Sequence, residues 1–189
     1  MAQDLRDDER LAAQCAAGKR RAQRALYERN RLSLYRMALR YATDGAEAED
    51  FLHDGMLQVY AKISQYRGGG PLDAWVRRVV LNVVLQALRK RPKIYELTDV
   101  DDAVGVDDHD SLKELEVLPS AAIYRLIRQL PLGYRTVFTL YYLENLTHEL
   151  IADRLGISVG ASKSQLSKAK RKLRAAILTE FPHYEHHSS

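Results

Sequence analysis

The residues best suited to chemistry lie near the end of the chain, in LTHELIADRLGISVGASKSQLSKAKRKLR, Leu146 to Arg174. Two short helical runs flank Gly156, and the second is loaded with Lys and Arg. Ala152 is small enough to let two helices approach, Gly156 can adopt a left-handed turn, and Ile151, Leu155, Ile157 and Leu166 can lock the pair. The second run is expected to begin at Ser158 as N-cap and to expose Lys163, Ser164, Gln165, Ser167, Lys168, Lys170, Arg171 and Lys172. Gln, Arg, Ser and Lys reach base edges in a major groove, and the cations also bind phosphates. A basic surface helix with no ligand is the plain alternative, but here turn, spacing and charge agree on a DNA reader.

Two further constellations are weaker. Tyr66, Arg67, Trp75, Arg77, Arg78 and Asn82 gather around a Gly-rich turn, YRGGGP. Aromatics beside cations and amides suit stacked or flipped single-stranded bases; Trp75 could equally be core. Glu47, Glu49, Asp50 and Asp54 are acids in a basic region, either a solvated face or a dock for a basic partner. Enzyme chemistry is not suggested. The GGGP turn lacks the Lys of a phosphate loop, His53, His109 and His148 are scattered, and no cofactor or metal set is spelled out by the single cysteine, Cys15.

These residues must be carried by helices. Apolar positions Leu11, Ala22, Leu26, Leu34, Met37, Ala38 and Tyr41 recur at helical steps, with Gly18 as a break. Asp44 with Glu47 reads as a capping box for a helix carrying Ala48, Phe51, Leu52, Leu57, Val59, Tyr60 and Ile63. Asp73 can cap the next, AWVRRVVLNVVLQALRKR. Its Val pairs could suit a strand, but its length and spacing favour a buried helix ending at Pro92. Four more helical runs follow Ser120, with Pro131 as a break and Asn145 and Thr147 as end and cap. The predicted architecture is all-α: a helical domain over 1–93, an acidic flexible linker over 94–118, a helix-turn-helix domain over 119–181 and a frayed tail over 182–189.

Charge supports this division. Of 189 residues, Lys19–Lys93 hold sixteen bases and seven acids, Glu96–Glu116 one base and nine acids, and Thr147–Arg174 seven bases and two acids. Basic, acidic, basic blocks point to a polyanionic partner. The polar start MAQDLRDDER suggests no signal peptide, and no apolar run approaches the ~20 residues that span a bilayer. A cytoplasmic protein without membrane insertion is expected.

The order AEDFLHDGMLQVYAKISQYRGGGPLDAWVRRVVLNVVLQALRKR, acidic segment, LPLGYRTVFTLYYLENLTHELIADRLGISVGASKSQLSKAKRKLR resembles the extracytoplasmic-function (ECF) class of bacterial RNA polymerase sigma factors, over about Leu26 to Ala176. The resemblance implies an adaptor, not an enzyme, that brings core polymerase to promoters. Asp50, Leu52, His53, Asp54, Met56 and Val59 would meet the β′ clamp helices, and the last domain the β flap. Tyr66, Arg67, Asp73, Trp75, Arg78 and Asn82 would recognise and help melt the minus-10 element. Ser162, Lys163, Ser164, Gln165, Ser167, Lys168, Arg171 and Lys172 would read the minus-35 element. An anti-sigma factor is the further partner implied. The acidic linker would run through the polymerase channel, mimicking nucleic acid or serving as a plain tether. A stand-alone helix-turn-helix regulator is the alternative.

The sequence departs from the family form at several positions. His53-Asp54 replace Gln-Glu, Met56 replaces Phe, and Leu150 stands where Glu is usual. Ala161-Ser162 replace Thr-Val, and Gln165 replaces Arg. On an exposed reading face, Gln would favour adenine where Arg favours guanine.

Overall fold

Helical spacing of apolar residues governs both halves of the chain. The structure, a computed structural model, describes residues 2–91 and 119–182. It divides into two units, Met1–Lys90 and Arg91–Ser189. The regular elements among the described residues are all helical. The predicted linker, and the tail beyond residue 182, lie outside them.

In the first unit, α1 runs Ala2–Ala16, α2 Arg20–Ala38, α3 Gly45–Lys62 and α4 Leu72–Arg89, with a 3-10 turn at Ile63–Gln65 after α3. Gly18 separates α1 from α2 with φ of 71°, a conformation that glycine adopts without steric cost. Asp44 caps α3 by accepting from the Glu47 amide at 2.9 Å. The return bond of this capping box falls one residue earlier than the pattern predicts. The Glu47 carboxylate accepts from the amide and hydroxyl of Thr43, at 2.6 and 2.7 Å.

The Val-rich α4 is a helix, with Leu72, Val76, Val80, Val84 and Leu88 fully buried at four-residue steps. It packs chiefly on α3. Gly55 permits the close approach, since a Cβ there would lie 2.5 Å from Val80 Cγ1. The expectation that Asp73 caps α4 is corrected. Pro71 is the N-cap residue and offers no side-chain acceptor; the amide of Leu72 instead donates to Asp8 of α1 at 2.8 Å.

In the second unit, α5 runs Ser120–Gln129, α6 Leu132–Tyr142, α7 His148–Leu155 and α8 Val159–Glu180. Pro131 breaks α5 from α6 as its missing N–H and fixed φ require. Helix α6 is buried from Gly133 to Leu140. Asn145, just beyond it, turns the chain at φ of 51°. Helix α8 packs on α5, α6 and α7 through Leu166, Ala169, Leu173 and Ile177, and Arg125 of α5 pairs with Glu180 of α8.

Candidate nucleic-acid interface

The helix-turn-helix is built as its residues dictate. Gly156 ends α7 in the left-handed region at φ of 69°, its amide returning to the Ala152 carbonyl. Thr147 and Ser158 cap α7 and α8 by accepting from the amides of Leu150 and Ala161. Because Ser158 takes over an end amide, a helix still starts at the weak helix formers Val159 and Gly160.

The exposed face of α8 is narrower than predicted. Lys163, Ser164, Arg171 and Lys172 are exposed, and Ser167 and Lys168 partly so. Ser162 and Gln165 are corrected: they are 0% and 2% exposed. Their spacing of three, with Leu166 and Ala169 beyond, puts them on the buried side of the helix. Ser162 hydrogen-bonds His148 Nδ1 at 2.9 Å. Lys170 is buried too, its ammonium 5.9 Å from the Tyr142 ring centroid, within cation–π range. The Gln-for-Arg change at 165 therefore does not sit on an exposed reading face.

In the first unit, α3 and α4 frame a cleft of about 230 Å³ lined by Gln58, Lys62, Gln65, Trp75, Arg78, Val79, Asn82, Val83 and Gln86. It gathers three of the predicted residues, Trp75, Arg78 and Asn82. The three glutamines and Lys62 were missed; the spacing of four and three from Gln58 through Lys62 to Gln65 could have shown those on the α3 side, and the spacing of four from Asn82 could have shown Gln86 on α4. Trp75 is half-buried, so it is neither core nor free. Tyr66 meets its ring edge-on at 6.1 Å between centroids. The Tyr66 hydroxyl donates to the Gly70 carbonyl at 2.6 Å, closing the loop. Burial first, then the carboxylates of Asp8 and Glu9, push the Tyr66 phenol above its ordinary value, so it remains a donor. Arg67 is exposed. Asp73 is spent within the fold, accepting from Arg29 Nε at 3.0 Å and from the Asn30 amide at 2.9 Å.

The expected docking helix splits into two faces. Leu52, Met56 and Val59 are corrected: at 7%, 3% and 0% exposure they belong to the core. Their four- and three-residue spacing lies on the stripe that packs α3 inward. Asp50, His53 and Asp54 are exposed, together with Leu57, which the periodicity assigned to the core but which is 53% exposed. Beside them, Tyr27, Arg31, Leu32, Tyr35, Glu49, Asp50, Leu52 and His53 line an open cleft between α2 and α3 of about 500 Å³. Among the described residues, no helix is long and apolar enough to cross a membrane.

The first unit thus carries a polar, aromatic cleft, and the second is built on a helix-turn-helix. Residues 26–94 match the family described as Sigma-70 region 2, and residues 120–173 match Sigma-70, region 4. The chain belongs to the sigma-70 family of RNA polymerase sigma factors, in the ECF class, and its role is in transcription initiation. The ECF RNA polymerase sigma factor SigM of Mycobacterium tuberculosis is 27% identical over 168 residues, 89% of this chain and 83% of that protein. The RNA polymerase sigma-H factor of Pseudomonas aeruginosa is 26% identical over 181 residues, 90% and 93% of the two chains. Among solved structures, CnrH in complex with the cytosolic domain of CnrY is 24% identical with a TM-score of 0.45, covering 90% of this chain and 96% of that one. A region-2 unit ahead of the helix-turn-helix sets aside the stand-alone regulator.

Proposed function

We propose that the first unit docks on core polymerase through Asp50, His53, Asp54 and Leu57 and holds minus-10 bases in the α3–α4 cleft, while α8 reads the minus-35 element. The observation that carries this reading is the cleft. An indole, a guanidinium, four carboxamides and an ammonium line a space of about 230 Å³, and these are the groups that stack on and hydrogen-bond an unpaired base. On α8, Lys163, Ser164, Arg171 and Lys172 supply base-edge and phosphate contacts from the exposed side of the helix. The β′ clamp helices and the β flap are the polymerase surfaces in this reading. An anti-sigma factor is a further partner, with the α2–α3 cleft as the concave surface open to it.

The test is reconstitution of the chain with core polymerase on a promoter library. Promoter-dependent initiation is expected, and Trp75→Ala is expected to lower open-complex formation without weakening minus-35 binding. Absence of core binding, or initiation that ignores promoter sequence, would overturn the reading.

A further inference from the structure

Helix α1 lies ahead of the family match, which begins at residue 26, yet it is bonded to Leu72, where the loop that carries Tyr66 and Arg67 enters α4. We propose that Asp8 of α1 is a positioning residue for the base-reading loop of residues 66–71. This rests on the minus-10 reading of that loop and the neighbouring cleft.

Asp8 is only 4% exposed, and a carboxylate is rarely buried without partners. Both of its oxygens are used. Oδ2 accepts from the amide of Leu72, the first residue of α4, at 2.8 Å. Oδ1 accepts from Arg29 Nη1 at 2.7 Å. Arg29 then reaches Asp73 in the first turn of α4, at 2.9 Å from Nε, and Asn30 donates to the same carboxylate. Helices α1, α2 and α4 are thereby joined where the loop ends. A carboxylate also suits the positive end of the α4 dipole.

The neighbouring residue lies against the middle of the loop. The Glu9 carboxylate occupies the space a Cβ on Gly68 would take. Three consecutive glycines, with φ of 73° at Gly68 and 159° at Gly70, give this loop little conformational preference of its own. Its internal constraint is the Tyr66 bond to Gly70. The loop needs an outside anchor to present Tyr66 and Arg67 in one geometry, and Asp8 provides it where the loop ends, at Leu72.

The experiment uses the full-length chain with core polymerase and promoter fragments whose minus-10 segment is single-stranded. Affinity is compared between the preferred minus-10 sequence and single-base substitutions of it, for Asp8→Asn, Asp8→Ala, Arg67→Ala and Trp75→Ala. Asp8→Asn keeps an oxygen for the Leu72 amide and loses the charge that holds Arg29. Asp8→Ala is expected to cut minus-10 discrimination about five- to tenfold, the range that losing one helix cap gives, and Asp8→Asn, which keeps the Leu72 bond, to cut it less. Discrimination at minus-35 should stay unchanged. Emission of Trp75, the single tryptophan, should shift as the adjoining Tyr66 moves. A purely structural role would lower affinity for every fragment equally and leave the ratio intact. An intact ratio in both Asp8 variants, with a reduced one in Arg67→Ala or Trp75→Ala, overturns the proposal and spares the minus-10 reading. An intact ratio in all four variants overturns both.

Discussion

His148 Nδ1 and the Ser162 hydroxyl lie 2.9 Å apart in the core of the helix-turn-helix, joining the first residue of α7 to the start of α8. The imidazole also stacks on Tyr141, with 4.9 Å between centroids. The recognition helix is therefore set by a buried polar contact as well as by apolar packing. Ser162→Val, which restores the family residue, removes a partner of a buried imidazole and is expected to cost about 1–3 kcal/mol. The double variant with His148→Leu should cost less than the sum of the two single changes. Urea unfolding of the four proteins checks this, and strict additivity would show that the contact is not energetically coupled.

Gln165→Arg puts a guanidinium at a position 2% exposed. The expected outcome is a lower melting temperature with minus-35 base preference unchanged. Arg171→Ala, on the exposed face, should weaken minus-35 binding by about 1–3 kcal/mol if it meets a base edge, or lower the salt slope by about 1 if it meets a phosphate. Titrations over a panel of substituted duplexes separate these outcomes. A move from adenine toward guanine in Gln165→Arg would place residue 165 on the reading face after all.

The two faces of α3 should respond differently. Asp50→Arg with Asp54→Arg reverses exposed charge and is expected to lower core-polymerase affinity with little change in stability. Leu52→Ala or Met56→Ala should instead destabilise the first unit by about 2–5 kcal/mol through cavity formation. Core binding and thermal melting, measured on the same proteins, distinguish docking from packing.

Gly55→Ala tests the α3–α4 approach. Alanine gains about 1 kcal/mol of helix propensity, but its methyl would meet Val80 Cγ1 at 2.5 Å, and overpacking costs about 1–3 kcal/mol. Net destabilisation is expected. A raised melting temperature would mean that Val80 yields freely.

The Glu149 carboxylate lies in the first turn of α7. Its own backbone amide first, then the Thr147 hydroxyl, hold its pKa below the ordinary glutamate value. A depressed carboxylate pKa stabilises the fold above the unfolded-state value of about 4.3, and that contribution is lost as pH falls through the folded value. Glu149→Gln should therefore remove a part of the stability that is present at neutral pH and absent in acid. Melting temperatures of the two proteins that stay equally far apart from neutral to acid pH would contradict this origin.

Much of the architecture was legible because it is local. Gly18, Asp44, Pro131, Ser158 and Gly156 each act through backbone preferences or bonds spanning a few residues, and each marks an element boundary in the structure. The site was legible in its residue types but not fully in its faces. Leu57 shares the chemistry of its buried neighbours yet is exposed. Ser162 and Gln165 share the polarity of a reading face yet are buried. Helical phase limits which residues can share a side, but several phases fit a helix with scattered apolar residues, and partner helices choose among them.

The sequence by itself determined an all-α architecture, two basic blocks around an acidic one, the turn at Gly156 and the order of its two family signatures, because spacing, capping and charge are written along the chain. The tertiary structure alone decided that Gln58, Lys62, Gln65 and Gln86 share a cleft with Trp75. It also decided that Asp8 caps a helix 64 residues away in place of Asp73. Such pairings depend on which elements meet in space, and no local preference of Asp8 or Leu72 encodes the partner it finds.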